Sequence, residues 1–130
     1  FVNRAIFNED MLYAAKAVEA GFGIAYAAQA KVYHSHNYTY RQQFRRNFDL
    51  GVSQADHPEV FAAYPSESEG IRLVKSMTAH LREKGMYSKI PSVIIQSGFK
   101  YMGYLMGKRY RRLPRRLVSA CSSNKEYWQM

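Results

Sequence analysis

Two short stretches hold the side chains best suited to chemistry. Glu9 and Asp10 stand together where a helix is expected to begin, and His34 and His36 are separated by one residue in a stretch expected to be extended. A carboxylate at a helix N-terminus is stabilised as the anion, which keeps it ready to accept a proton but weakens it as a base. Taken alone, such an acid pair also serves simply to complement the helix dipole. Two histidines at i and i+2 on a strand share a face and make half a metal site, yet most such pairs are surface or capping residues. Arg41, Arg45 and Arg46 have the forks to grip a diphosphate, although a charge run on a helix is more often a solvated face. Tyr40, Phe44 and Phe48 recur every fourth residue and read as core rather than as a sugar-stacking platform.

The elements that must position these groups follow from local pattern. Asn8 is placed to cap a helix over 9–20, with Gly21 as its left-handed stop and Met11, Ala14, Ala15 and Val18 facing inward. Ile24, Tyr26, Val32 and Tyr33 then suggest one or two short strands. If helix and strand run antiparallel, the return brings the His34–His36 stretch to the same end as Asp10. Thr39 and Gln42 fit a capping box for a second helix to about residue 50, which Gly51 and Asp56-His57-Pro58 are expected to break. Ser66 and Glu69 open a third helix through Ile71, Val74, Met77 and Leu81 to Gly85. Pro91 starts a fourth, apolar on most sides, that runs into Lys108-Arg109-Tyr110-Arg111-Arg112-Leu113-Pro114-Arg115-Arg116. These six basic residues end the helical pattern by Pro114, and a polar tail is expected beyond.

The stretches Phe7-Asn8-Glu9-Asp10-Met11-Leu12, Ala20-Gly21-Phe22-Gly23-Ile24-Ala25-Tyr26 and Ala30-Lys31-Val32-Tyr33-His34-Ser35-His36-Asn37-Tyr38 resemble the end of a family-2 glycosyltransferase of GT-A fold. Arg41-Gln42-Gln43-Phe44-Arg45-Arg46-Asn47-Phe48-Asp49-Leu50-Gly51 resembles the bacterial rhamnosyltransferase-like branch. Residues 1 to about 52 carry this likeness, and the later helices share it loosely. The resemblance implies that Asp10, flanked by Glu9, is the base that takes a proton from the acceptor hydroxyl. It implies that His34, with His36 as the alternative, ligates a divalent Mg or Mn ion or contacts the diphosphate. It also implies a nucleotide-sugar donor, a saccharide or lipid-linked acceptor and a place in cell-surface polysaccharide synthesis, with a hexose or deoxyhexose such as rhamnose transferred. The family's Asp-x-Asp motif is absent, because Asp10, Asp49 and Asp56 are not at that spacing. Together with the opening at Phe1, this makes the chain read as the C-terminal part of a longer enzyme, inactive by itself.

The 130 residues allow one modest core, and 47% hydrophobic content is that of a globular protein. Nineteen Lys and Arg against ten Asp and Glu give a net charge of +9, which favours an anionic partner. Among such partners an anionic membrane surface fits the apolar, basic-ended fourth helix, although that helix reads slightly better as packing on a missing half of the enzyme or on another subunit. Nucleic acid is the weaker alternative, since the basic residues divide between two clusters and no nucleic-acid-binding motif is present. The single Cys121 excludes an internal disulfide and fits a reducing compartment. No uncharged apolar run reaches the ~18 residues a bilayer span needs. The expected location is therefore cytoplasmic, peripheral on the inner face of the membrane. The expected architecture is α+β and mostly α. Residues 1–38 would be the distal part of a GT-A domain, with one helix and one or two strands, and residues 39–130 a helical extension with a basic tail.

Overall fold

The computed structural model describes residues 5–33, 37–62 and 66–129, with backbone alone at 66 and 67. Six α-helices run through these residues: α1 (Glu9–Glu19), α2 (Tyr40–Asp56), α3 (Pro58–Phe61), α4 (Ser66–Glu83), α5 (Ile90–Lys108) and α6 (Arg115–Cys121). Single 3-10 turns lie at Tyr87–Lys89, Tyr110–Arg112 and Glu126–Trp128. No strand occurs among the described residues, so the expected α+β architecture is corrected to all-α for them. The physical reason is the want of a strand partner. Ile24, Tyr26, Val32 and Tyr33 are all exposed, and residues 22–33 bond locally, with Ala30 N–H donating to the Ala27 carbonyl and Lys31 N–H to that of Gln29. β-propensity without a neighbouring ladder leaves the backbone to turns and water.

The centre of the fold is the crossing of α2 and α5. The capping box forms as expected, with Gln42 N–H donating to Thr39 Oγ1 at 3.3 Å and Thr39 N–H donating to Gln42 Oε1 at 2.8 Å. The helix does not stop at Gly51, however, because that glycine packs on α5. A Cβ at Gly51 would strike the Tyr104 carbonyl oxygen and lie 2.8 Å from the Lys108 nitrogen. One at Gly103 would strike the Phe44 carbonyl oxygen, and one at Gly107 that of Phe48. Three glycines thus let two backbones touch, and the close approach outweighs the cost of glycine in a helix interior.

Beside this crossing, Phe48 and Val52 are fully buried with Ile6, Val118 and Cys121, and Phe44, Met106, Tyr110, Leu113 and Trp128 pack around them. Phe48 is therefore core, Phe44 lines it, and Tyr40 stacks on Phe99 at 5.4 Å between ring centres. The segment beyond Pro114 is not a polar tail. α6 contributes Val118 and Cys121 to the core, and its end is tied to α2 through a buried carboxylate: Asp49 accepts from Ser122 Oγ at 2.6 Å and from Ser123 N–H at 2.8 Å. α4 leans more loosely on α5, leaving a cavity of about 530 Å³ lined by Leu50, Val74, Met77, Val93, Gln96 and Tyr101 among others.

Candidate functional site

The acid pair sits where the sequence places it, at the first turn of α1 and exposed. Asp10 Oδ1 accepts a hydrogen bond from Met11 N–H at 2.9 Å. The cap differs from expectation. Asn8 adopts the left-handed conformation at φ 61° and makes no side-chain cap, while its carbonyl begins the helix by accepting from Leu12 N–H at 3.1 Å. Asparagine is among the few residues that tolerate this region. Its Nδ2 is shielded from solvent and has no hydrogen-bond partner among the described residues. An unsatisfied amide immediately before two carboxylates is a feature of the kind that gathers at working sites. At the other end of α1, Gly21 at φ 86° supplies the expected stop. Its inward residue is Leu12, however; Met11 and Val18 are about half exposed.

The start of α1 is fastened to α2 by three contacts. Ile6 enters the core, and Ser53 Oγ donates to the Phe7 carbonyl at 2.6 Å. The guanidinium of Arg46 lies 5.2 Å from the Phe7 ring centre and 4.8 Å from that of Tyr38. Arg46 therefore gathers the chain just before Glu9–Asp10 and the chain just after the histidine stretch onto one helix. His34 and His36 themselves lie outside the described residues. No three His, Cys, Asp or Glu side chains converge on a common point among the described residues, so these alone do not make a metal site. Arg41 is exposed, as a solvated charge should be, but Arg46 is half-buried between two rings.

Two further polar clusters were not legible from the sequence. Burial pushes the Asp49 carboxyl above its ordinary range, against the pull of the Ser122 hydroxyl and Ser123 N–H, and this group is structural. At the far end of α2, Asp56 Oδ1 accepts from Tyr110 OH at 2.7 Å and from Arg111 Nη2 at 2.9 Å. Burial raises the Tyr110 phenol, and the hydrogen bond with Tyr110 leads the causes that raise Arg111. Burial likewise raises the Cys121 thiol, which argues against a reactive thiolate there. Asp49 and Asp56 are thus taken up by bonds within the fold, whereas Glu9 and Asp10 stand exposed at the start of α1.

Comparison with known proteins adds what geometry cannot. Over 129 residues, 98% of the chain, it is 40% identical to the protein named O-antigen chain rhamnosyltransferase WbaN of Salmonella anatum. Over the same length it is 39% identical to RfbN of Salmonella typhimurium, which carries the same description. The chain is similar to O-antigen chain rhamnosyltransferases along nearly its whole length. It spans 41% of the length of each of these relatives. The likeness to rhamnosyltransferases is therefore not confined to residues 1–52 but continues through α6. No protein-family model matches the chain, and no solved structure does.

Proposed function

We propose that this chain is part of a rhamnosyltransferase that moves rhamnose from a nucleotide-sugar donor to a saccharide or lipid-linked acceptor in O-antigen chain synthesis. The observation that carries this reading is 40% identity across 98% of the chain to a protein of that name. Within it, Asp10 is the proposed general base and Glu9 its neighbour, at the free N-terminus of a helix whose entry is fixed by Ser53 and Arg46. Exposed at that terminus, Asp10 can accept the acceptor hydroxyl's proton as the hydroxyl oxygen bonds to the sugar's anomeric carbon and the bond from that carbon to the nucleoside diphosphate breaks, the diphosphate leaving with the electron pair. The divalent ion implied by the glycosyltransferase resemblance finds no three-ligand set among the described residues. Neither relative's description favours a nucleic-acid-binding module.

The test is an exchange of segments. This chain replaces the aligned portion of the Salmonella anatum rhamnosyltransferase in a strain lacking that enzyme. A restored ladder of O-antigen lengths supports the assignment. A well-expressed, folded chimera that leaves the ladder absent speaks against it.

A further inference from the structure

The outer side of α5 is apolar and uncovered. Pro91, Ile94, Ile95, Gly98, Met102 and Leu105 follow the i, i+3, i+4, i+7, i+11, i+14 spacing and so share one face. Gly103 and Gly107 lie on the side turned to α2, which directs this stripe away from the core. Ile94 is 55% exposed, Ile95 49% and Met102 48%. A contiguous apolar face of this kind marks an interaction surface more often than a scattered leucine does.

Charge says what covers it. Residues 84–125 hold ten Lys and Arg and no Asp or Glu. Lys84 and Lys89 precede the stripe, and Lys108, Arg109 and Arg112 follow it, all exposed. Arg111 is drawn off by Asp56, but Arg109 stands seven residues beyond Met102 and so ends the stripe on its own face. Exposed Tyr87 and Tyr101 add rings with one wet end, suited to a boundary between water and hydrocarbon. No helix among the described residues is long and apolar enough to cross a membrane, so α5 would have to lie in the surface plane. A second copy of the chain would match the isoleucines but repel the cations. Nucleic acid would match the cations but leave the isoleucines in water.

We propose that α5 lies flat on an anionic bilayer surface, with Ile94, Ile95 and Met102 at the acyl boundary and Arg109 and Arg112 among the headgroups, while Lys108 stays over the Tyr104 ring. Such docking needs no sugar chemistry, so it stands or falls apart from the transferase reading.

The experiment is co-sedimentation of the whole chain with vesicles of phosphatidylcholine alone or mixed with phosphatidylglycerol. Binding is expected to need phosphatidylglycerol and to weaken with salt. The triple variant Ile94→Ser, Ile95→Ser, Met102→Ser is expected to lower partition at least about tenfold with helicity by circular dichroism unchanged. Arg109→Glu with Arg112→Glu keeps the apolar face and is expected to lower it by at least about fivefold per cation, which decides the matter if the triple variant fails to fold. Equal binding to neutral and anionic vesicles, or no binding at all, overturns the assignment. So does a dimer in sedimentation equilibrium that the triple variant abolishes, or a vesicle-bound fraction untouched by both variants.

Discussion

Replacing Gly107 by alanine should destabilise this protein, although the same change in an open helix stabilises one. A Cβ at Gly107 would overlap the Phe48 carbonyl oxygen and lie 2.9 Å from the Phe48 carbonyl carbon and 3.0 Å from the Gly51 Cα. All three are backbone atoms, so no rotamer change relieves them. Ordinary carbon contacts need about 3.5–4.0 Å, and α5 must therefore back away from α2 by roughly 0.5–1 Å. That movement loosens the packing around Phe48 and Val52, and overpacking of this kind costs about 1–3 kcal/mol. Because the obstacle is backbone, the upper half of the range applies. Alanine's better helix propensity returns about 1 kcal/mol, leaving a net loss of roughly 1–2 kcal/mol. Gly98 is the control: it lies in the same helix with nothing within 4 Å of its would-be Cβ. Gly98→Ala should stabilise by about 0.5–1 kcal/mol. Urea unfolding followed by circular dichroism measures both. A Gly107→Ala protein as stable as the wild type, or shifted in the same direction as Gly98→Ala, would refute the close crossing.

Asp49 should make stability fall with rising pH. Its carboxyl holds a proton more tightly folded than unfolded, so its contribution is greatest below the ordinary Asp value of about 3.9 and is lost as pH rises through the raised folded value. Asp49→Asn should flatten that segment of the profile, whereas Asp49→Ala should cost about 1–3 kcal/mol by taking the acceptor from the buried Ser122 hydroxyl; an Asn variant whose stability falls with pH as steeply as the wild type's counts against the assignment. Ser53→Ala removes the bond to the Phe7 carbonyl and should lower stability by about 1 kcal/mol, with faster amide exchange at the start of α1 than in α5. Uniform exchange throughout would mean that Ser53 does not fasten α1.

Features written in neighbouring residues were legible. The Thr39–Gln42 capping box, the left-handed stop at Gly21, the end of the third helix near Gly85 and the aromatic stripe ending at Phe48 all depend on spacing within one or two turns. Features settled by distant chain were not. Gly51 looks like a break until Gly107 is known to lie against it. The stretch from Ile24 to Tyr33 has strand residues but pairs with no strand among the described residues. The segment after Pro114 reads as polar, yet Val118 and Cys121 are placed to fill the core once Asp49 accepts from Ser122 and Ser123. Of the candidate site, the position of Glu9 and Asp10 could be read, because a helix start is a local event. The clasp of Arg46 on Phe7 and Tyr38 could not, because it joins residues more than thirty apart in the chain with those on α2.

The proposed transferase role is tested most directly by rhamnosyl transfer in the chimera that carries this chain, with and without Asp10→Asn. The substitution keeps the size of an exposed side chain at the first turn of α1, so the fold and donor affinity should be unchanged. Loss of a general base should lower kcat by about a hundredfold or more. Full turnover by a folded Asp10→Asn chimera would contradict the assignment of Asp10 and of the α1 terminus as the working site.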